Sequence, residues 1–493
     1  MKILLVNPEF PNTFWSFKHA LRFVSKKAAF PPLGLLTVAS MLPNAFKTKL
    51  VDMNVSKLRA RDILWADMVF VGGMIVQKDS ANKVLKLCKI LGVRTVAGGP
   101  LFTAYYEEFP SVDHLVLNDA EITLPQFLAD LENNCAKRIY ASDQFADIVT
   151  TPLPRWELLD MKQYSSMAIQ YSRGCPFDCE FCDIVVLNGH TPRTKSKMQV
   201  LYELDALRLA GWTSSVFIVD DNFIGNKNKL KSEILPAIWM WSRQNNFPFS
   251  FNIQTSINLA DDDELIYLMV AANFTQVFIG IESPNEDSLT ECGKSQNLRR
   301  DLTAAVKKLQ NLGLEVQGGF IVGFDNDKQS IFQDMIDFIQ NSGISTAMVG
   351  LLQAPMGTKL YKRLKSENRI NCKPSGDNTD YSMNFSPRID FNILLDGYKK
   401  VVRTIYSPKH YYKRVKTFLR EYRPAPTNLG RIRKEHVNAL FMSFWQLGIL
   451  EKGRRHYWKL LVWTLFKRPR LFPLSVTLAI YGYHFRRVAN MQA

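Results

Sequence analysis

The sequence predicts an α/β protein in three parts. These are an N-terminal doubly wound, Rossmann-like sheet, a central partial (β/α)6 barrel and a C-terminal, mostly helical domain. Three observations lead there. Short apolar runs alternate with helical stretches from Ile3 through Leu352, the alternation that builds parallel sheets. Three cysteines, Cys175, Cys179 and Cys182, fall within eight residues where a second series of β/α units begins. Charge is segregated: Leu395 to Ala493 hold 21 Lys and Arg against 4 Asp and Glu, a net of +17 in a chain whose total is +16. The 493 residues suggest about three domains.

The first domain is expected over residues 1–145. Strands are read at Ile3–Val6, Leu50–Met53, Met68–Val71, Thr95–Ala97 and His114–Leu117. Helices are read at Pro32–Leu42, with proline near its start, at Ser80–Leu91, with Ser80 or Asp79 as N-cap, and at Leu124–Leu131. The pairs Gly72-Gly73 and Gly98-Gly99, the second followed by Pro100, fall just after strands. That edge is where such sheets bind ligands, and glycine admits a bulky flat group close to the backbone. Residues 146–165 read as a linker, extended around Thr151–Trp156 because two prolines stand there.

Residues 166–372 read as the barrel. Strands are expected at Ser166–Tyr171, Ser215–Val219, Ser250–Gln254, Gln276–Ile281, Glu315–Val322 and Thr346–Leu352. Between them lie helices at Gln199–Ala210, Leu230–Gln244, Asp261–Ala272, Leu298–Leu312 and Ser330–Ser342. Polar residues and glycines gather at the strand ends: Asp220 and Asp221, Gln254, Glu282, Gly319 and Gln353. Barrel sites sit at that end, although Asp220 and Asp221 would equally serve as helix caps. Residues 373–493 open on a polar loop, Lys373–Thr379, and continue in helices such as Val437–Leu450 and Tyr457–Phe466.

The cysteine spacing is C-x3-C-x2-C. A [4Fe–4S] cluster takes four ligands, so three thiolates on one loop leave one iron open. A structural zinc site wants four closed ligands, usually in two pairs; no second pair is near, and His190 is the only close histidine. Seven cysteines, an odd number, argue against a disulfide scaffold. Cys88, Cys135, Cys292 and Cys372 read as buried small apolar residues; Cys292 follows a barrel strand.

The cysteine loop, with Phe181 before its last cysteine, resembles the signature of the radical SAM superfamily. The resemblance implies a [4Fe–4S] cluster on Cys175, Cys179 and Cys182, and S-adenosylmethionine (SAM) on the open iron. It implies SAM contacts from Phe181, Asp220, Asp221, Gln254, Glu282 and Gly319. Asn7-Pro8, Phe30–Leu35, Gly72-Gly73, Gly98-Gly99-Pro100 and Asn118–Glu121 resemble the cobalamin-binding domain that precedes many radical SAM methylases. That likeness implies cobalamin against Pro32, Gly34, Gly72, Gly73, Met74, Gly98, Gly99 and Pro100. The D-x-H-x-x-G motif that supplies a lower histidine to cobalt elsewhere is absent, so Met74–Gln77 is expected to pack on that face. Residues 1 to about 365 are similar to the class B methylases. The run Pro11–Phe17 and the tail resemble the branch that includes the hopanoid C-2 methylase. The implied reaction is methylation of an unactivated carbon, on a lipid or other hydrophobic metabolite, with a reductant such as flavodoxin or ferredoxin. Oxidation, cyclisation or rearrangement without methyl transfer stays open. So does nucleic-acid modification, since a basic tail grips phosphates.

The tail interleaves its cations with Trp, Tyr and Phe, a pattern suited to an anionic membrane surface. No apolar run reaches the roughly 18–20 residues that span a bilayer; Lys467-Arg468-Pro469-Arg470 breaks the longest. Met1-Lys2 leads straight into a strand, so the expected location is cytoplasmic, peripheral to the inner face of the membrane.

Overall fold

A computed structural model describes residues 1–377, 379–424 and 434–491. Asn378, within the polar loop, and part of the C-terminal region, residues 425–433 and 492–493, lie outside the described residues.

The N-terminal sheet is parallel, with strands β1 (Lys2–Asn7), β2 (Lys47–Asp52), β3 (Met68–Gly72), β4 (Arg94–Gly98), β5 (His114–Val116) and β6 (Ile139–Tyr140) in the order β2-β1-β3-β4-β5-β6. Burial on both faces explains the continuous apolar runs. Leu4, Val6, Val69 and Val71 face one layer of helices, and Ile3, Leu5, Met68 and Phe70 the other. Helices Leu33–Met41, Lys78–Ile90 and Ala120–Glu132 match the expected ones within a few residues. The expected cap at Ser80 or Asp79 is not used: the helix begins two residues earlier, after Gln77. The Ser80 hydroxyl instead accepts the Glu9 N–H at 2.8 Å. Strand β6 and the helices Ala60–Leu64 and Pro100–Tyr105 have no counterpart in the sequence reading.

The second sheet contains β7 (Met167–Ile169), β10 (Val216–Ile218), β11 (Phe251–Thr255), β12 (Phe274–Glu282), β13 (Glu315–Val322) and β14 (Ala347–Leu351). All its pairings are parallel, in the order β14-β13-β12-β11-β10-β7. The two end strands do not pair, which leaves the barrel open on one side. Between β7 and β10 a small antiparallel ribbon, β8 (Ser172–Arg173) with β9 (Arg193–Thr194), frames the cysteine loop. The helix after β9 carries a capping box, Ser196 with Gln199.

C-terminal helices Phe391–Tyr406, Pro408–Glu421, Lys434–Trp445, Arg454–Lys467 and Phe472–Met491 share one apolar core with the barrel. The Tyr406 hydroxyl donates to the Ala347 carbonyl at 2.6 Å. The run Pro11–Phe17 docks on the last helix, where Phe14 stacks on Phe485 at 4.2 Å. Among the described residues no helix is long and apolar enough to cross a membrane.

Candidate functional site

The carboxyl ends of both sheets open into one cavity of about 2100 Å³. Pockets for single drug-sized ligands run about 300–1,000 Å³, so this one has room for more than one large molecule. From the N-terminal sheet come Pro32, Gly34, Gly72, Gly73, Met74, Gly98, Gly99 and Pro100; from the barrel come Phe181, Cys182, Asp221, Gln254, Glu282 and Gly319. A third wall was not anticipated. It is built by Trp15, Phe17, Leu440, Leu474 and Tyr481, from the opening run and the C-terminal helices.

The cysteine loop is held from several sides. The Cys175 N–H donates to Gly189 O at 3.2 Å, Cys182 N–H to Cys179 O at 3.1 Å, and Glu180 N–H to Cys292 O at 2.8 Å. Gly174 has φ +97°, and a Cβ there would meet the Thr191 carbonyl at 2.8 Å, so glycine is required. Asp221 accepts the Gly174 N–H at 3.0 Å and the Asn188 amide at 2.9 Å. Asp220 accepts the Tyr171 N–H and the Ser172 hydroxyl, both at 2.7 Å. Burial pushes its carboxyl up to about 7, against those hydrogen bonds. Asp220 does not line the cavity; it is placed as an anchor of the loop, whereas Asp221 anchors the loop and also reaches the cavity wall. Neither acts as the cap that Asn222 provides by position.

Burial pushes the Cys182 thiol up to about 12 and raises Cys175 and Cys179 as well. Lys294 opposes that rise, and a bound metal, which takes the thiolate form, would oppose it further. Among the described residues no three His, Cys, Asp or Glu are placed to hold a single ion. In an iron–sulfur cluster each of three thiolates would take a different iron. Two of the remaining cysteines, Cys88 and Cys292, are buried as expected; Cys135 and Cys372 are exposed, against expectation, because both lie in surface loops.

Beside Cys179 stands a buried ion pair. Lys294 Nζ lies 2.7 Å from Glu282 Oε1, and the Gln296 amide is 3.9 Å from the Cys179 sulfur. Burial alone would lower the Lys294 ammonium, but the Glu282 carboxylate carries it above its usual value. Glu282 has φ +62° at a bulge between β12 and β13. Such a conformation costs on the order of 1–3 kcal/mol for a non-glycine residue and persists where its surroundings dictate it. Here the Asn297 amide clamps the Gly280 and Ile281 carbonyls at 3.1 and 3.0 Å. A Cβ at Gly280 would collide with the Glu282 carboxylate.

The segment Asn118–Glu121 turns out to join the two sheets. Arg173 pairs with Asp119 at 3.0 Å and Glu121 at 2.8 Å, and Arg193 pairs with Asp119 at 2.9 Å. All four side chains are at most 16 % exposed. Burial would raise the Glu121 carboxyl, yet Arg173 holds it below the usual range. The cysteine ribbon is thereby bolted to the N-terminal domain.

The glycines of the first sheet divide into two kinds. A Cβ at Gly98 would meet the Val116 carbonyl at 2.6 Å, and one at Gly72 would meet Leu35 at 2.9 Å. These two are glycine because the fold leaves no space. Gly34 has nothing within 4 Å, and Gly73 nothing nearer than 3.6 Å. There the free space is the cavity, as a close-lying ligand requires. The 3-10 turn Ile75–Gln77 lines the same wall. The only histidine among the described lining residues is His436, on the Lys434–Trp445 helix.

Comparison with known proteins agrees with this architecture. Residues 169–339 match the radical SAM superfamily model, and residues 358–493 match a domain of unknown function, DUF4070. The chain is 40% identical to an uncharacterized methyltransferase, sll1242, of Synechocystis sp., over 98% of this chain and 91% of that protein. It is 31% identical to the hopanoid C-2 methylase of Rhodopseudomonas palustris, over 93% of this chain and 88% of that protein. The fold is similar to OxsB, a cobalamin-dependent SAM radical enzyme, with TM-score 0.65 at 15% identity, covering 100% of this chain and 84% of that one. It is also similar to the radical SAM methyltransferase TsrM of Kitasatospora setae, with TM-score 0.58 at 13% identity, covering 76% and 79%. With relatives this similar along nearly the whole chain, and a radical SAM domain whose cysteine loop faces a glycine-edged sheet across one cavity, the protein belongs to the methyltransferase family that includes the hopanoid C-2 methylase.

Proposed function

We propose that this enzyme methylates an unactivated carbon of a hydrophobic small molecule of the lipid class. The observation that carries the reading is the single cavity, which brings the cysteine loop, the glycine edge of the first sheet and an apolar wall to one space. When bound, a [4Fe–4S] cluster with SAM supplies one-electron cleavage of a carbon–sulfur bond, and cobalamin supplies a transferable methyl group. Cys175, Cys179 and Cys182 hold the cluster. Phe181, Asp221, Gln254, Glu282 and Gly319 hold SAM, with Lys294 fixing Glu282 and with Asp220 acting through the loop it anchors. Pro32, Gly34, Gly73, Met74, Gly99 and Pro100 hold the corrin, on a wall whose packing depends on Gly72 and Gly98.

The chain's own contribution is position and exclusion of water. The Arg173–Asp119–Glu121 bolt fixes the cysteine ribbon relative to the first sheet. Trp15 packs edge-on against Phe278 at 5.2 Å, and Phe17 against Tyr481 at 5.3 Å. Lys26 and Glu435 also line this part of the cavity but pair with each other at 3.1 Å, so the rings offer an apolar substrate its surface.

The reductant, a flavodoxin or ferredoxin, docks on the far side of the loop. There a small dent of about 150 Å³ is lined by Cys179 and Cys182 together with His190, Lys359 and Lys362. Cys182 lines both the dent and the main cavity. Asp178 lines the dent too and pairs with Lys359; Lys362 adds the positive charge that suits an acidic electron donor.

The test is anaerobic turnover of the reconstituted enzyme against a cell lipid extract with methyl-labelled SAM. The reading expects 5′-deoxyadenosine and S-adenosylhomocysteine together, with label in a lipid product. 5′-Deoxyadenosine with no labelled product would replace methyl transfer by oxidation or ring closure. Label in copurified RNA would replace the substrate class.

A further inference from the structure

The C-terminal helices carry a surface that the cavity does not explain. The Lys434–Trp445 helix runs through a π-helical turn, Gln446–Leu450, and the chain reverses into Arg454–Lys467. The inner faces of this hairpin are committed. The Ser443 and Tyr457 hydroxyls lie 2.8 Å apart, and the Trp458 indole N–H donates to Gly448 O at 3.0 Å. Large apolar side chains stand exposed on the outer face: Phe441 is 65% exposed, Trp445 62% and Ile449 52% on the first helix, and Phe466 77% on the second. Phe441, Trp445 and Ile449 recur every fourth residue and so form one stripe. Single exposed apolar side chains are ordinary, but a contiguous stripe marks an interface.

Cations follow the stripe in the turn and at the start of the second helix. Lys452, Arg454, Arg455 and Lys459 are exposed, and none pairs with a carboxylate among the described residues. The two acids of the hairpin are already taken, Glu435 by Lys26 at 3.1 Å and Glu451 by Arg487 at 3.8 Å. The stripe also begins at the cavity. Val437 is 42% exposed and lines the cavity together with Leu440, one turn before Phe441.

We propose that this hairpin seats the protein on an anionic lipid bilayer, with the cavity mouth at Val437 turned toward the acyl chains. Aromatic and aliphatic side chains enter the headgroup boundary, while lysines and arginines meet the phosphates. A second copy of the chain fits poorly, because docking would bring two strongly cationic rims together. A nucleic acid would engage the cations and leave the apolar stripe in water. That a lipid substrate enters by this mouth rests on the methylase reading above; the docking itself does not.

The test is vesicle flotation of the full, anaerobically reconstituted chain. It uses phosphatidylcholine vesicles with about one-third phosphatidylglycerol, and pure phosphatidylcholine as control. The bound fraction is expected to be at least about tenfold higher on the anionic vesicles. Trp445→Asp with Phe466→Asp should lower it at least about tenfold, as should Arg455→Glu with Lys459→Glu, whose wholly polar change spares the packing. No binding of the wild type to anionic vesicles at low salt overturns the proposal. So does equal binding by both variants, or a lipid-free dimer that Trp445→Asp converts to a monomer. 5′-Deoxyadenosine release by dithionite-reduced enzyme is read on the same preparations. Normal SAM cleavage without vesicle binding removes the docking alone, and vesicle binding without SAM cleavage removes the chemistry alone.

Discussion

Replacing Arg173 with Met tests whether the two sheets are bolted together at the cysteine ribbon. The guanidinium makes charge-assisted bonds to Asp119 Oδ1 at 3.0 Å and to Glu121 Oε1 and Oε2 at 2.8 and 3.0 Å. The carboxylates are only 9 and 6% exposed, so solvent cannot replace the lost partner. Breaking a buried pair from one side costs about 3–5 kcal/mol. Arg193 still holds Asp119, and the Thr151 hydroxyl still donates to Glu121 at 2.7 Å. The lower end, about 3 kcal/mol, is therefore expected. The assay is hydrogen exchange in peptides covering 114–123 and 170–183, where that cost reads as opening roughly 100-fold more frequent at pH 7. The pH dependence gives a second check. In the wild type the Glu121 carboxyl is depressed, so its contribution is present above the unfolded value of about 4.3 and is lost as pH falls through the folded value. Without Arg173, burial raises the same carboxyl, and the penalty it causes at neutral pH fades as pH falls and the group protonates. The difference between the two proteins should therefore be largest at pH 7 and shrink toward pH 4. Adding Glu121→Gln to the variant should recover part of the loss. Exchange within about threefold of wild type, at every pH, would refute the reasoning.

Cys179→Ala should abolish the cluster, read by iron and sulfide content; unchanged content would remove the foundation of the proposed chemistry. Gly34→Ala and Gly98→Ala should separate binding from folding. The first has open space and should keep wild-type stability while weakening the cobalamin absorbance of reconstituted protein. The second forces a Cβ against the Val116 carbonyl and should cost about 1–3 kcal/mol in denaturant unfolding. Lys294→Met leaves Glu282 buried, unpaired and in a left-handed conformation; SAM affinity should fall at least about tenfold by equilibrium dialysis, because nothing then holds the Glu282 carboxylate toward the cavity. Lys362→Glu should slow reduction by flavodoxin several-fold and leave dithionite reduction unchanged.

The parts of the fold legible in the sequence were those with a local signature. β1 is legible as Ile3–Val6, within its observed bounds Lys2–Asn7, because burial on both faces leaves a continuous apolar run. β6 was missed because Ile139–Tyr140 is two residues long and pairs only at a sheet edge. The Lys78–Ile90 cap was misplaced because Ser80, which has the chemistry of a cap, is spent on Glu9 from the opening strand's loop. Local propensity cannot register a partner 71 residues away.

The same limit applies to the site, and it explains what kind of residue escapes. The cysteine loop announces itself because its chemistry is a spacing. Asp220 and Asp221 announce only that carboxylates stand at a strand end. Which one reaches the cavity is decided by Tyr171, Ser172, Gly174 and Asn188, which claim their oxygens. Lys294 and Arg173 carry no motif at all. Lys294 matters because a bulge turns Glu282 toward it, and Arg173 because the ribbon meets Asn118–Glu121. Trp15 and Tyr481 lie at opposite ends of the chain and share a wall only because the opening run docks on the last helix, through Phe14 and Phe485. Residues that hold cofactors answer to chemistry common to the family and so leave local patterns. Residues that shape the substrate wall and the bolts between domains answer to one particular packing, and they become visible only when distant segments meet.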